Sequence, residues 1–89
     1  MWTVYIVRCA DSSLYTGIAK HAEERIKLHN AGRGAKYTRS RLPVELVYSE
    51  SVDTRETALR REIAIKRLER DEKIKLIESC ADRESTLSG

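Results

Sequence analysis

The stretch that decides the fold is Val4-Tyr5-Ile6, followed across a short polar segment by Leu14-Tyr15-Thr16-Gly17. Both runs are rich in β-branched and aromatic residues, which favour strands, and each carries a tyrosine. The intervening Ala10-Asp11-Ser12-Ser13 is rich in turn-forming residues, so the two runs are predicted to pair as an antiparallel hairpin. The rest of the chain is then expected to cover this hairpin or to add side chains around its two tyrosines.

The positions of the two tyrosines place a requirement on the hairpin register. If residue i pairs with residue j, Tyr5 and Tyr15 project from the same face only when i + j is even, as with Cys9 opposite Tyr15. The simplest four-residue turn pairs Cys9 with Leu14, which gives an odd sum and puts the tyrosines on opposite faces. If the two hydroxyl groups belong to one site, they must lie on the same face, and this condition predicts an even register or a bulge near residues 10–13.

Hydrophobic patterning predicts the remaining elements. The run from Trp2 to Cys9 is almost continuously apolar, which indicates a strand covered on both faces and central in its sheet. Pro43 is suited to the start of a third strand, especially an edge strand. The pattern predicts strands over 2–9, 14–19 and 44–50, helices over 22–30, 54–68 and 70–80, and a long connection over 31–43. Residues 1–80 are expected to form one domain, and residues 81–89 a polar, disordered tail.

Length and composition are those of a small globular protein. The chain has 89 residues, of which 40% are hydrophobic, and no apolar run approaches the length that spans a bilayer. No signal-peptide pattern opens the sequence. Cys9 and Cys80 have no second cysteine or histidine at metal-ligand spacing, which favours free thiols. We therefore expect a cytoplasmic protein without membrane association.

The net charge of +3 has its main source in the connection over 31–43. Four cations follow one another there without an intervening acidic residue, and Tyr37 lies among them: Arg33, Lys36, Arg39 and Arg41. Such a segment suits the phosphate backbone of a nucleic acid, and the tyrosine could stack on a base. On charge alone, a solvated basic loop is an equally good interpretation.

Glu62 is the most informative single residue of the second half. It lies among Ala58 and Ile65 in the helical pattern, so it faces at least partly towards the core. A carboxylate in that position costs free energy unless it is paired or coordinated. An ion pair with Lys66 or Arg25 is the simpler interpretation, and a divalent-cation ligand is the other.

Taken together, these residues and their order resemble the GIY-YIG nuclease superfamily. Its two motifs take the forms Thr3-Val4-Tyr5 and Tyr15-Thr16-Gly17 here, and the resemblance covers about residues 2–78. It is nearest to the small stand-alone bacterial members, the UPF0213-like group. Those proteins carry runs similar to Val4-Tyr5-Ile6-Val7-Arg8-Cys9, Gly34-Ala35-Lys36-Tyr37-Thr38 and Leu59-Arg60-Arg61-Glu62. The resemblance implies an α+β fold in which helices, three by the pattern above, flank a three-stranded antiparallel sheet.

The resemblance also implies a metal-dependent DNA endonuclease that hydrolyses phosphodiester bonds with low sequence specificity, in DNA repair or DNA processing. The implied catalytic residues are Tyr5, Tyr15, Arg25 and His29, with Glu62 binding one Mg²⁺ or Mn²⁺ and Gly17 permitting close backbone approach. The residues expected to contact DNA are Arg33, Lys36, Tyr37, Arg39 and Arg41. Either Tyr5 or His29 would take the proton from the attacking water, and the sequence leaves both open.

Four departures from the family pattern leave a second function open. Thr3 stands where the family name has glycine, Thr16 is the middle residue of the second motif, Ile18 stands where several relatives have lysine, and no asparagine occurs near Ile74. The alternative is a non-catalytic nucleic-acid-binding module that keeps the GIY-YIG fold. DNA, in single-stranded, branched or damaged form, is the expected partner under either interpretation.

Overall fold

A computed structural model describes the backbone of residues 1–88 and the side chains of residues 1–79. In this part of the chain three strands and four helices follow one another. They are β1 (Trp2–Arg8), β2 (Leu14–Ala19), α1 (Ala22–Asn30), α2 (Lys36–Arg39), β3 (Glu45–Val52), α3 (Arg55–Lys66) and α4 (Arg70–Ser88). The predicted α+β fold with a three-stranded antiparallel sheet is confirmed, with one helix more than expected.

The sheet has the strand order β2-β1-β3, and both pairings are antiparallel. The four residues from Val4 to Val7 are all buried, because helices cover both faces of the central strand. The prediction drawn from the apolar run, a central strand covered on both sides, is therefore confirmed. β2 and β3 are the edge strands of the sheet.

The hairpin register is even. Tyr5 pairs with Gly17, and Val7 pairs with Tyr15. Both tyrosines consequently project from the same face, as predicted. The turn between the strands occupies residues 9–13, and the Asp11 carboxylate stabilises it by accepting a hydrogen bond from the Ser13 backbone N–H at 3.0 Å.

Alternation along β1 divides the core into two layers. Tyr5, Val7 and Cys9 pack on the face that α1 covers, together with Val44. Val4 and Ile6 pack on the other face, against Ala58 and Ile65 of α3. Because β2 is an edge strand, side chains from the helices on both faces can meet beside it.

The connection between α1 and β3 is more ordered than the expected loop over 31–43. The backbone N–H groups of Thr38 and Arg39 both donate to the Ala35 carbonyl, at 3.1 and 3.3 Å, and this closes the single turn of α2. Gly32 follows α1 in the left-handed region, with φ of 78°. Gly32 thus occupies the position after a helix end at which glycine is favoured.

Four elements have bounds that differ from those expected. β1 ends at Arg8, one residue early, and β3 ends at Val52, two residues late. β3 begins at Glu45 because the Asn30 side chain binds the backbone of Val44, with 2.7 Å from Val44 N to Asn30 Oδ1. α3 ends at Lys66, and its N-terminus is capped by Thr54, whose Oγ1 accepts from Thr57 N at 3.1 Å. α4 continues to Ser88, since neither glycine nor proline occurs between Val44 and Ser88.

The expected division into one domain over residues 1–80 and a polar, disordered tail over 81–89 stays a prediction, and the side chains from residue 80 onward are not described. No described helix combines the length and the apolar composition that a membrane crossing requires.

Candidate active site

An open cavity of about 340 Å³ lies beside β2, between α1 and α3. Its lining includes every residue to which the sequence assigned catalysis, metal binding or close approach: Tyr5, Tyr15, Gly17, Arg25, His29 and Glu62. These residues come from β1, β2, α1 and α3. The fold therefore gathers groups that are up to 57 positions apart in the sequence, from Tyr5 to Glu62, around one space.

His29 lies at the centre of a buried hydrogen-bonded chain. It is only 1% exposed, although it belongs to the last turn of α1. Its Nε2 is 3.0 Å from Tyr5 Oη, and its Nδ1 is 2.8 Å from Thr38 Oγ1. Burial, with a smaller contribution from the Arg25 guanidinium, lowers the pKa of His29 below its usual value of 6.5. The imidazole is consequently neutral at pH 7 and can accept a proton.

Tyr5 is a neutral phenol in this environment. Burial raises the pKa of Tyr5 to about 12, the neighbouring Tyr15 and Glu62 add to the rise, and Arg25 opposes it. A free phenolate is therefore rare at neutral pH. For its oxygen to take a proton from water, the hydroxyl must pass its own proton on, and the acceptor within hydrogen-bonding distance is His29 Nε2.

Gly17 makes room for the Tyr5 side chain. The two residues are directly opposite in the β1–β2 ladder. A Cβ atom at position 17 would lie 2.6 Å from Tyr5 Oη and 2.7 Å from Tyr5 Cζ. The sequence predicted a close backbone approach at Gly17, and the group that approaches in the structure is the phenol ring of Tyr5.

Glu62 points a partly buried carboxylate towards the cavity. Its side chain is 18% exposed, and Lys66 Nζ lies 3.6 Å from Oε2. That distance is compatible with an ion pair but is too long for a hydrogen bond. The sequence left Lys66 and Arg25 open as ion-pair partners of Glu62, and in the structure Glu62 pairs with Lys66. The pairing leaves the carboxylate oxygens available to a further ligand.

The donor set at Glu62 suits one type of metal ion. Among residues with described side chains, no group of three or more His, Cys, Asp or Glu could enclose a metal. Mg²⁺ commonly keeps several waters and uses one or two carboxylates together with substrate phosphates. A single carboxylate beside an open cavity therefore fits Mg²⁺ or Mn²⁺ held jointly with a substrate.

The residue before Glu62, Arg61, forms an ion pair that holds helix α3 in place. Arg61 donates two hydrogen bonds to the Glu50 carboxylate, at 2.9 and 2.8 Å, and Tyr48 Oη donates a third at 2.8 Å. The Arg61 hydrogen bonds hold the pKa of Glu50 below its usual range. Bidentate pairs of this kind fix geometry well, so α3 is anchored to β3 one residue before Glu62.

The predicted DNA-contacting residues divide into two groups. Arg33, Lys36 and Arg39 are exposed, and Arg33 also lines the cavity. Arg41 is engaged within the protein, because its Nε is 3.1 Å from Asp11 Oδ2 and its guanidinium lies 4.0 Å from the centroid of the Tyr37 ring. The first group is thus better placed than Arg41 to meet a phosphate.

Tyr37 extends the aromatic wall of the site. Its ring is stacked on that of Tyr15, with centroids 5.9 Å apart and an angle of 22° between the planes. The side chain is 39% exposed. One part of Tyr37 is therefore packed, and another part is open to a ligand.

Sequence reasoning missed two residues that contact His29. Thr38 is completely buried and binds Nδ1, and Gly34 packs so closely that an added Cβ would clash with the imidazole ring. Both residues belong to the run Gly34-Ala35-Lys36-Tyr37-Thr38, which is similar in the UPF0213-like group. The basic residue of this run was interpreted as a DNA contact, and no role was assigned to the glycine and the threonine at its ends.

Comparison with known proteins supports the resemblance to the GIY-YIG family. Residues 1–75 match the family described as the GIY-YIG catalytic domain. A UPF0213 protein of Staphylococcus saprophyticus is 58% identical over 74 residues, which are 83% of this chain and 90% of that protein. A UPF0213 protein of Haloquadratum walsbyi is 54% identical over 79 residues, which are 89% of each chain.

Two solution NMR structures have the same fold. The UPF0213 protein of Bacillus halodurans superposes with a TM-score of 0.56 at 43% identity, covering 88% of this chain and 84% of that one. A protein from E. faecalis superposes with a TM-score of 0.59 at 36% identity, covering 89% and 84%. On the family match, the identities and the coverage, this chain belongs to the GIY-YIG nuclease family, in its UPF0213 group.

Proposed function

We propose that the protein is a metal-dependent endonuclease that hydrolyses DNA phosphodiester bonds with low sequence specificity, in DNA repair or DNA processing. The observation that carries this proposal is the convergence of a proton acceptor, a phenol, a guanidinium and a carboxylate on one open cavity. These are His29, Tyr5, Arg25 and Glu62. Phosphodiester hydrolysis requires an activated water and stabilisation of charge on the phosphoryl oxygens, and this set contains groups for both tasks.

Arg25 and Glu62 are the groups that would hold the substrate. The exposed Arg25 guanidinium can bind two oxygens of the scissile phosphate at once. Glu62 would hold a divalent cation together with the same phosphate. A bound Mg²⁺ or Mn²⁺ would supply Lewis-acid stabilisation of the charge that develops on the phosphoryl and leaving-group oxygens.

Tyr5 and His29 would share the work of the general base. The Tyr5 oxygen takes a proton from the attacking water while its own proton passes to His29 Nε2, 3.0 Å away. The low pKa of His29 and the pKa of about 12 for Tyr5 support this division, because the imidazole is neutral and the phenol keeps its proton until the reaction begins. The two candidates for the base thus act in series.

The rim of the cavity supports DNA as the substrate and low sequence specificity. Its exposed cations, Arg33, Lys36 and Arg39, suit phosphate oxygens, which are the same in every sequence. The exposed part of Tyr37 suits stacking on an unpaired base. Single-stranded, branched or damaged DNA offers such bases, so we propose these forms as preferred substrates.

The test is cleavage of a supercoiled plasmid and of a single-stranded oligonucleotide with Mg²⁺, Mn²⁺ or EDTA. We expect nicking with either metal and none with EDTA. Tyr5→Phe, prepared identically, removes one hydroxyl group and should lower the rate by about 100-fold or more, as losses of general acid–base groups do. Equal nicking by both preparations would contradict the assignment of Tyr5. Intact DNA with both metals, together with measurable binding, would favour the non-catalytic nucleic-acid-binding module.

Binding should depend on the exposed cations of the segment around α2. For the double variant Lys36→Ala/Arg39→Ala we expect weaker DNA binding and a flatter plot of log K against log salt. Each lost phosphate contact changes the slope by about 0.7 on single strands and about 0.9 on duplex DNA, so the double variant should change it by about 1.4 and about 1.8, respectively. Fluorescence anisotropy titrations at several salt concentrations measure this slope.

The matched control for that experiment is Arg70→Ala/Lys75→Ala, which removes the same charge from α4, outside the residues that line the cavity. The control should keep the wild-type slope. If the two double variants reduce the slope equally, binding depends on net charge rather than on the segment around α2.

A further inference from the structure

We propose that Thr38 is a positioning residue that fixes His29 as its Nδ1–H tautomer, so that Nε2 is free to accept the Tyr5 proton. The inference rests on the proposed function and adds a residue to it. Thr38 is completely buried, and it is contributed by α2, the same short helix that presents Lys36 and Arg39. The tautomer follows from the direction of each hydrogen bond in the buried chain.

The direction begins at the Thr38 hydroxyl, which has a single hydrogen to donate. Thr38 Oγ1 lies 2.9 Å from the carbonyl oxygen of Ala35 and 2.8 Å from His29 Nδ1. A carbonyl oxygen can only accept, so the hydroxyl hydrogen must point to Ala35 for that contact to be attractive. The Thr38 oxygen then accepts at its other contact, and the hydrogen between it and His29 belongs to Nδ1.

The reverse arrangement is less favourable. If Thr38 donated to His29 Nδ1, its oxygen would face the Ala35 carbonyl oxygen at 2.9 Å with no hydrogen between them. Two oxygen atoms at that distance repel each other, and one hydrogen bond of a buried group would be lost. The forward arrangement satisfies all three contacts of the chain.

The tautomer determines what His29 can do for Tyr5. A neutral imidazole carries one N–H group, so a hydrogen on Nδ1 leaves Nε2 with a free lone pair. Nε2 lies 3.0 Å from Tyr5 Oη and therefore accepts the phenol hydrogen. In the other tautomer, Nε2–H would donate to Tyr5, and the imidazole could not receive the phenol proton. Thr38 thus acts on the reaction through His29, without lining the cavity itself.

NMR measures the tautomer directly in the full chain. Long-range ¹H–¹⁵N spectra of protein labelled at histidine distinguish a protonated ring nitrogen from a bare one, at about pH 8, where imidazoles are neutral. The protein has two histidines, and the exposed His21 serves as an internal reference. We expect His29 to carry its hydrogen on Nδ1, with a bare Nε2. A protonated Nε2 in the wild-type protein would overturn the proposal without any variant.

Two variants separate positioning from packing. Thr38→Val keeps the shape of the side chain and removes the hydroxyl, so His29 should lose its preference for the Nδ1–H tautomer. Thr38→Ser keeps the hydroxyl and should restore the preference. Retention of a pure Nδ1–H tautomer in folded Thr38→Val would overturn the proposal. Thermal melting, monitored by circular dichroism, establishes that the variant is folded.

Cleavage provides the second measurement. Thr38→Val should lower the nicking rate by about 10–100-fold, as the loss of other hydrogen-bond partners behind a functional histidine does, with DNA affinity unchanged and the rate restored in Thr38→Ser. An unchanged rate in a Thr38→Val protein with a shifted tautomer would show that the tautomer does not matter to catalysis. If the wild-type protein keeps the expected tautomer but cleaves nothing under any metal, the proposed function fails and the tautomer assignment stands.

Discussion

Glu62→Gln is expected to lower the rate of DNA nicking by about 1,000-fold while the fold and the affinity for DNA stay close to wild type. The substitution keeps the size of the side chain and removes its negative charge. A neutral amide is a poor ligand for a hard divalent cation, so the charge stabilisation that the proposed cation would supply in the transition state would be lost with it. A loss of that size corresponds to about 4 kcal/mol of transition-state stabilisation.

The structure explains why stability should change little. Glu62 is only partly buried, and its ion pair with Lys66 at 3.6 Å is too long for a strong hydrogen bond. Exposed and partly exposed pairs of this kind contribute about 0–1 kcal/mol. Removing a carboxylate next to the proposed phosphate site also removes a repulsion, so DNA affinity in EDTA should be unchanged or slightly higher.

Glu56→Gln is the matched control on the same helix. Like Glu62, Glu56 forms an ion pair with the residue four positions later, which is Arg60 at 2.9 Å. Unlike the pair of Glu62, both of its side chains are 76% exposed. This variant makes the same chemical change and should nick DNA at the wild-type rate. Binding of Mn²⁺ to the protein–DNA complex, followed by electron paramagnetic resonance, should be lost in Glu62→Gln and kept in Glu56→Gln. Equal Mn²⁺ binding and equal nicking in both variants would remove Glu62 from the metal site.

Gly34→Ala is expected to destabilise the protein by about 2–3 kcal/mol, the upper part of the range for overpacking a tight interior. An added Cβ would lie 2.6 Å from His29 Cγ and 2.8 Å from His29 Cα, besides its clash with Nδ1. Rotation of the imidazole cannot relieve the contact with Cα, so the segment at Gly34 has to move away from α1. That movement would break the hydrogen bond between His29 and Thr38 and lower the nicking rate per folded molecule.

Thermal melting and nicking of Gly34→Ala test this expectation. A destabilisation of that size lowers the melting temperature of a domain this small by about 10 °C or more. Gly32→Ala is the control, because a Cβ at position 32 would meet nothing within 4 Å, and only the left-handed backbone at φ 78° is strained. It should cost about 1 kcal/mol and leave nicking by the folded protein unchanged. Wild-type melting in Gly34→Ala would contradict the close packing of Gly34 on His29.

Local patterns in the sequence were sufficient for most of the secondary structure. The continuous apolar run around Tyr5 predicted a central strand, and the first helix was predicted with its observed ends, Ala22 and Asn30. The last helix was predicted to end at residue 80, where the composition turns polar, and its backbone continues as helix to Ser88. Polarity shows where a helix loses its core contacts, but it does not show where the hydrogen-bonded backbone ends.

The segment over 31–43 was the least predictable part, because contacts with distant residues organise it. Its cations are visible in the sequence, but the internal role of Arg41 depends on Asp11, which is 30 residues away. The same holds for the short helix α2, since a single helical turn is too short to be stable by its own propensity. Thr38 and Gly34 therefore became recognisable only as neighbours of His29.

The sequence by itself determined the three strands, the three longer helices and the even-register requirement for Tyr5 and Tyr15. The elements follow from periodicity and turn chemistry, which act over a few residues, whereas the candidate site residues came from the resemblance to the GIY-YIG family. Only the tertiary structure decided the register that meets the requirement, and the chain of hydrogen bonds from Tyr5 through His29 to Thr38. Those contacts join residues 24 and 9 positions apart, so they exist only after the hairpin, α1 and α2 have packed together.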